Sequence, residues 1–209
     1  MTLPVSDTVP LTGTLTGPGP ELVFPPQEAE AVRLAYAEAE AILEYGAGGS
    51  TMLAVAAGTP IVSVESDAGW VYQMRGWIRD SAPTVLAEVI HADIGPTGDW
   101  GYPRDASGWK DYAAYPLKVW DRLGQDLPLP DVVLVDGRFR TGCALATAFR
   151  SPRPVTLLFD DYKDRPRYHE IEGFLGAPTL IGRLAVFDVT PMAIPADRLL
   201  DIQLMLTHP

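Results

Sequence analysis

Residues 41–51 read AILEYGAGGST, a short apolar run that ends in an acid and is followed by clustered glycines. Gly46 permits a sharp turn after the run, and Gly48 lets a ligand approach the backbone closely. Gly49 and Ser50 then open a helix whose first backbone amides are free to bind a polar ligand. The stretch therefore predicts a strand, a tight turn and a helix arranged around a ligand site.

An acid ends the next apolar run, at a distance that suits a nucleoside ligand. Glu65 closes the run PIVSVE, about 20 residues after Gly46, and Ser66 follows it directly. A carboxylate at the end of a second strand can accept hydrogen bonds from two ribose hydroxyls. Together with the glycine turn, Glu65 predicts a site for an adenosine-type ligand.

Two residues beside the turn disfavour a nicotinamide dinucleotide. The pattern G-x-G-x-x-G would place a glycine where this chain has Thr51. Glu44 precedes the turn, and its negative charge would oppose a pyrophosphate but favour a cation. A Walker phosphate loop is excluded because no Gly-Lys-Ser/Thr follows. An oxidoreductase that uses a nicotinamide cofactor is therefore the least favoured alternative.

Apolar and β-branched runs alternate with helical stretches along the chain. Strands are predicted at 41–45, 60–65, 85–93, 131–136, 154–160, 177–182 and 184–190, and helices from Pro26 and at 50–57, 68–79, 108–124, 139–149 and 163–174. The first five strands are apolar enough to be buried on both faces, as parallel strands are. The last two adjoin at Gly182 and predict an antiparallel hairpin. The pattern is typical of an α/β fold with a doubly wound sheet.

Composition limits the classes of protein and partner. The chain has 209 residues, of which 47% are hydrophobic and 21% charged, as in an ordinary globular protein. We expect an extended N-terminal arm over 1–25 and one domain over 26–209. The arm can lie over a site or pair with a second copy of the chain, so a homo-oligomer is one of the alternatives. The net charge of −11 disfavours nucleic acid as a partner.

The chain carries no sign of export, membrane insertion or zinc binding. Cys143 is its single cysteine, and no Cys/His cluster has zinc spacing. The N-terminus lacks the features of a signal peptide, and no apolar run is long enough to span a membrane. We therefore expect a cytoplasmic protein without a membrane partner.

The glycine turn and the strand-end acids resemble those of the class I S-adenosylmethionine-dependent methyltransferases. Their first motif, an acid followed by spaced glycines, is similar to residues 44–50, with Ser50 where many members carry a third glycine. The resemblance covers roughly residues 26–190. It implies a Rossmann-like, mostly parallel seven-stranded sheet of order 3-2-1-4-5-7-6, with helices on both faces and an antiparallel hairpin at the C-terminal end.

The resemblance also implies S-adenosylmethionine as the cofactor. An acid after the third strand often holds the adenine amino group in that family, and Asp93 matches that place. The cofactor-binding residues that the resemblance implies are Glu44, Gly46, Gly48, Gly49, Ser50, Glu65, Ser66, Asp93 and Ile94.

Acids also follow the fourth and fifth predicted strands. Asp136 ends one, and Asp160 and Asp161 end the other, so the three carboxylates are expected to converge. Close like charges need a proton or a cation, and oxygen ligands suit Mg²⁺. The pattern is similar to that of catechol-type O-methyltransferases, with Asp161 replacing an asparagine. It implies a Mg²⁺ site at the three acids and catalytic roles for Asp136 and Asp160. The alternative is that these acids only cap turns and helices.

A small-molecule methyltransferase is the leading interpretation, with an anionic or hydroxylated acceptor. Basic residues follow the same two strands: Arg138, Arg140, Lys163, Arg165 and Arg167. They can receive an anion, or pair with the neighbouring acids. The replaced asparagine favours the alternative of a protein that binds S-adenosylmethionine without transferring its methyl group. The loops 1–25 and 95–108 are expected to form the acceptor pocket.

Overall fold

The computed structural model describes residues 19–81 and 83–209. Its strands are β1 (Ile42–Tyr45), β2 (Ile61–Glu65), β3 (Ala87–His91), β4 (Val132–Val135), β5 (Val155–Phe159), β6 (Thr179–Ile181) and β7 (Leu184–Val189). Its α-helices are α1 (Pro26–Glu38), α2 (Gly49–Ala57), α3 (Ala68–Asp80), α4 (Ala114–Leu117), α5 (Arg140–Arg150), α6 (Glu172–Leu175) and α7 (Leu199–Thr207). Residues 1–18 of the expected arm lie outside the described residues, and 19–25 reach α1 without helix or strand.

The strands form one seven-stranded sheet in the order β3-β2-β1-β4-β5-β7-β6. The strands from β1 to β5 pair in parallel, and β7 runs antiparallel to both β5 and β6. Gly182 forms the turn between β6 and β7 with a φ of +59°, a conformation that favours glycine. The predicted α/β fold, strand order and closing hairpin are confirmed.

The central strands are buried because helices cover both faces of the sheet. Every residue of β1, β2 and β4 is buried. Leu43 and Tyr45 belong to the larger core, which includes α5, whereas Ile42 belongs to the core formed with α1. Side chains alternate along a strand, so Glu44 shares the face of Ile42 and points beneath α1 and α2.

The chain reverses its winding direction between β1 and β4. From β1 it proceeds to β2 and β3 on one side, and β4 and β5 lie on the other. A ligand cleft is expected at the carboxyl ends of the two strands where strand order reverses. There Gly46 and Gly137 approach so closely that a Cβ on Gly46 would lie 2.7 Å from the Gly137 Cα.

Two of the predicted helices are wrong. The stretch 108–124 is a series of turns that contains α4 and a 3₁₀ turn over Lys118–Asp121. Pro116 is tolerated only in the first turn of a helix, so α4 cannot begin far upstream of it. The stretch 163–174 is a 3₁₀ helix over Pro166–Ile171 followed by the single turn of α6.

The C-terminal helix α7 was not predicted, and it packs on α5. A Cβ on Gly142 would lie 2.8 Å from the Leu206 Cα, so this glycine allows the two helices to approach closely. Ile202 and Met205 supply the buried face of α7. In the part of the chain that the structure describes, no helix is long and apolar enough to cross a membrane.

Candidate functional site

The glycine turn after β1 depends on contacts that only glycine allows. Gly46 has a φ of +97°, and its amide donates to the Val64 carbonyl over 2.8 Å. On the opposite side, a Cβ on Gly137 would lie 2.2 Å from the Tyr115 hydroxyl. The turn is therefore fixed by close backbone packing between β1 and β4, and a larger residue would displace it.

Gly48 and Gly49 differ in what surrounds them. A Cβ on Gly48 would meet nothing within 4 Å, so this backbone is open to the cleft above it. A Cβ on Gly49 would lie 2.2 Å from the Glu21 carbonyl oxygen, so this glycine instead lets residues 20–24 pack over the start of α2. Both positions and Ser50 line the cleft, and their contact with a cofactor stays a prediction.

Glu44 lies beneath the turn and is not among the residues that line the cleft. Its fully buried carboxylate accepts hydrogen bonds from the hydroxyls of Ser50, Thr51 and Ser63, the last over 2.8 Å. The Tyr36 hydroxyl lies 3.5 Å away on the α1 side. Burial raises the pKa of Glu44 to about 7, although the hydroxyl donors oppose that rise. The structure therefore gives Glu44 a positioning role at the start of α2.

Glu65 lines the cleft at the end of β2. Its Oε1 accepts from the amides of Ser66 over 2.6 Å and Asp67 over 3.1 Å, and its Oε2 accepts from the Ala47 amide over 3.3 Å. Burial raises the pKa of the carboxyl, and the backbone donors oppose that rise. Among the described residues Oε2 has this single donor, so it retains capacity to accept from a ligand hydroxyl.

The other predicted cofactor residues do not line the cleft. The Ser66 hydroxyl donates to the Gly101 carbonyl oxygen over 2.9 Å and is buried. Asp93 is exposed, and its carboxylate accepts from the Gly95 amide in a local turn. Ile94 is buried in the larger core. The prediction that Asp93 and Ile94 contact the cofactor stays a prediction, and this geometry gives it no support.

A loop over residues 97–102 covers one side of the cleft, and we call it the roof loop. The Thr97 hydroxyl donates to the Asp67 carboxylate over 3.1 Å, and Gly101 is bonded to Ser66 as above. Trp100 is 91% exposed with a φ of +59°, yet it also lines the cleft. The sequence singled out the region 95–108, but it did not identify these contacts.

The cleft has a volume of about 1140 Å³. Residues 20–24, the glycine turn and the roof loop bound it, together with the start of α3 and the ends of β2, β4 and β5. Trp70 lines it from α3 and donates its indole N–H to the Ala47 carbonyl over 2.7 Å. The volume exceeds that of common ligand pockets, roughly 300–1,000 Å³, so there is room for two small molecules.

The three predicted metal ligands do converge, but arginines neutralise them. Asp160 is almost fully buried, and its two carboxylate oxygens accept hydrogen bonds from the Arg183 guanidinium over 2.9 and 2.7 Å. Asp161 pairs with Arg165 over 2.8 Å and lies 3.4 Å from Arg183. Arg140 lies 3.1 Å from the Asp136 carboxylate and 3.5 Å from that of Asp161.

These ion pairs replace the cation that the sequence predicted. Within residues 19–81 and 83–209, no group of His, Cys, Asp or Glu side chains is arranged to hold a metal ion. The Mg²⁺ site at Asp136, Asp160 and Asp161 is therefore not supported, because the positive charge comes from arginines. Arg183 was missed, although the hairpin turn that carries it lies beside β5 in the sheet.

Asp136 is the acid of this group with the most access to the cleft. Its side chain lines the cleft and is 35% exposed, against 21% for Asp161 and 1% for Asp160. Burial raises the pKa of Asp136 to about 7; Arg140 opposes this rise, and the charges of Asp160 and Asp161 add to it. A carboxyl with such a pKa can exchange a proton near neutral pH.

Comparison with known proteins places the chain in a family. A methyltransferase-like protein from Silicibacter pomeroyi shares 52% sequence identity with a TM-score of 0.84, covering 91% of this chain and 99% of that one. No family model and no curated protein matches the chain. The chain belongs to the family of class I S-adenosylmethionine-dependent methyltransferase-like proteins.

More distant structures share the fold alone. A methyltransferase from Geobacter sulfurreducens has 12% identity and a TM-score of 0.50, covering 80% of this chain and 82% of that one. The C-terminal domain of precorrin-6Y C5,15-methyltransferase from Rhodobacter capsulatus has 11% identity and a TM-score of 0.50, covering 83% and 89%.

Proposed function

We propose that this protein is an S-adenosylmethionine-dependent methyltransferase that acts on a small molecule. The observation that carries the proposal is the cleft at the reversal of strand order, where the open backbone of Gly48 faces the same space as Glu65. Open backbone and a carboxylate that can accept hydrogen bonds from hydroxyls suit a nucleoside with a short polar tail.

The residues present fit this cofactor better than a dinucleotide. Glu65 would hold the ribose hydroxyls through Oε2, and the open backbone of Gly48 would lie against the amino-acid portion. Thr51 stands where the dinucleotide pattern has its third glycine, and its side chain is buried against Glu44. Trp70 offers an apolar wall beside Ala47.

When bound, S-adenosylmethionine supplies a methyl group on a positively charged sulfur, which keeps the carbon–sulfur electron pair as it leaves. The acceptor's nucleophilic oxygen or nitrogen must lose a proton as its new bond to carbon forms. Asp136, with its pKa of about 7, is the residue we assign to accept that proton. We assign no catalytic role to Asp160, because it is almost fully buried and both its oxygens are paired with Arg183.

The shape and charge of the cleft support a small acceptor. Residues 20–24 and the roof loop narrow the cleft on two sides, which leaves space for a compact molecule beside the cofactor. The net charge of −11 opposes a nucleic-acid acceptor.

Calorimetric titration with S-adenosylhomocysteine and with NAD tests the choice of cofactor. We expect one binding site for S-adenosylhomocysteine and no heat from NAD, whereas binding of NAD alone would overturn the proposal. Release of S-adenosylhomocysteine during incubation with a panel of phenols, amines and carboxylic acids tests the transfer. Binding without turnover over the panel would favour a protein that holds the cofactor and transfers nothing.

A further inference from the structure

Arg138 lines the cleft immediately beyond β4, and its guanidinium is incompletely satisfied. The guanidinium carbon lies 5.7 Å from the centroid of the Tyr102 ring in the roof loop. Its Nε is buried, and no atom of the described residues accepts a hydrogen bond from it. A buried donor without an acceptor is costly, and such donors are rare in native proteins. The guanidinium therefore has donor capacity that no atom of the described residues uses at Nε.

The other cleft arginines are already neutralised. Arg140, Arg165 and Arg183 each form an ion pair with an aspartate at a strand end. Arg138 forms no ion pair with any carboxylate of residues 19–81 or 83–209. Burial lowers the pKa of Arg138, and the nearby charge of Arg140 lowers it further, although the charge of Asp136 opposes the fall.

The sheet order places Arg138 on the acceptor side of the cleft. β1 lies between β2 and β4, so Glu65 and Arg138 stand on opposite flanks of the glycine turn. A cofactor over the turn with its ribose at Glu65 would leave the β4 side to the acceptor. Asp136 precedes Arg138 by one glycine, so a molecule held by Arg138 would lie beside the proposed proton acceptor.

We propose that Arg138 is the specificity-determining residue of the acceptor subsite and that it pairs with the carboxylate of a small monoanionic acceptor. The inference rests on the proposed function. The planar guanidinium fork matches the two oxygens of a carboxylate. Acidic side chains outnumber basic ones in the cleft lining, so a phosphate dianion would meet more repulsion than a single negative charge.

The test measures binding of simple probes to the full chain saturated with S-adenosylhomocysteine. Benzoate and hexanoate are titrated by NMR, with benzamide and hexanamide as uncharged matches and phenyl phosphate as a dianion. The Arg138 Nε–H signal reports a change in the environment of the guanidinium. The variants are Arg138→Gln, Arg138→Lys and the matched control Arg167→Gln. Arg167 also stacks on an aromatic ring, at 5.1 Å from the Tyr168 centroid, but does not line the cleft.

We expect a carboxylate to bind wild type and Arg167→Gln at least tenfold more tightly than its amide, and to shift the Arg138 Nε–H signal. Arg138→Gln should weaken carboxylate binding about tenfold or more without changing amide binding, and Arg138→Lys should fall between. Thermal melts establish that each variant is folded. Where a variant does not fold, the proposal is still tested in wild type by the relative affinities for carboxylate and amide and by the Arg138 Nε–H signal.

Several results would overturn the inference. Equal binding of carboxylates and amides to wild type would do so, as would unchanged carboxylate binding to folded Arg138→Gln. Tighter binding of phenyl phosphate would contradict a monoanionic acceptor. If Arg138→Gln weakens the binding of S-adenosylhomocysteine, Arg138 belongs to the cofactor site and not to an acceptor subsite. Failure of S-adenosylhomocysteine to bind wild type would instead refute the proposed function, which separates the two failures.

Discussion

Replacing Glu44 by glutamine should change how stability depends on pH. Glu44 is fully buried beneath the glycine turn, where hydroxyls of Ser50, Thr51 and Ser63 donate to it. Each hydroxyl can donate or accept, so the glutamine amide can occupy the same place with similar hydrogen bonds. The substitution thus removes a titratable group while preserving its packing.

The magnitude follows from the raised pKa. Burial raises the pKa of Glu44 from its ordinary 4.5 to about 7 in the folded protein. Between these values the folded protein holds a proton that the unfolded chain releases, so stability falls as pH rises. The contribution of Glu44 is fully present below pH 4.5 and lost as pH rises through about 7. At about 1.4 kcal/mol per pH unit, the wild type should lose roughly 3 kcal/mol between about pH 4.5 and about pH 8 that Glu44→Gln does not lose.

Urea denaturation at several pH values from about 4.5 to about 8 measures this difference. Other titrating groups, including Asp136, are present in both proteins and cancel to first order. Glu30→Gln removes an exposed carboxylate from α1 and serves as the control for the loss of one charge. Parallel curves of unfolding free energy against pH for wild type and Glu44→Gln would refute the assignment of a buried, proton-holding Glu44.

Three further substitutions test the cleft and its frame. Glu65→Gln should weaken S-adenosylhomocysteine binding about 10- to 100-fold in calorimetry, because the amide replaces an oxygen that can accept from the ribose; unchanged affinity would refute the ribose site. Asp93→Asn should leave that affinity within about twofold, since Asp93 is exposed and its turn is kept; a large loss would show that Asp93 reaches the adenine. Gly137→Ala should lower the unfolding free energy in urea by roughly 1–3 kcal/mol, because its Cβ would lie 2.2 Å from the Tyr115 hydroxyl; a neutral result would contradict the close packing of the turn.

The sheet was predictable because its strands are strongly apolar and their spacing leaves room for crossover helices. The five parallel strands and the closing hairpin lie where the sequence placed them, and the glycine turn follows β1 as expected. The local sequence pattern did not predict secondary structure correctly where close backbone packing determines it. A Cβ on Gly108 would lie 1.9 Å from the Ile94 carbonyl oxygen. The long helix that was predicted to begin at this glycine is a series of turns in the structure.

The site was predicted in part, and its errors come from side-chain direction and tertiary pairing. Glu44 is followed by the turn, but its place on the strand points it to the α1 face and away from the cleft. The acids Asp160 and Asp161 converge as expected, yet Arg183 from the distant hairpin turn neutralises both. Motif spacing along β4 and β5 carries no information about that arginine, so the resemblance could imply a metal ion there.

A crystal structure of the protein with S-adenosylhomocysteine tests most directly whether the cleft binds the cofactor through Glu65 and Gly48. We expect density over the glycine turn, with the ribose hydroxyls within hydrogen-bonding distance of Glu65 Oε2 and the amino-acid portion above Gly48. Density for the ligand elsewhere in the cleft, or a ribose remote from Glu65, would contradict this expectation.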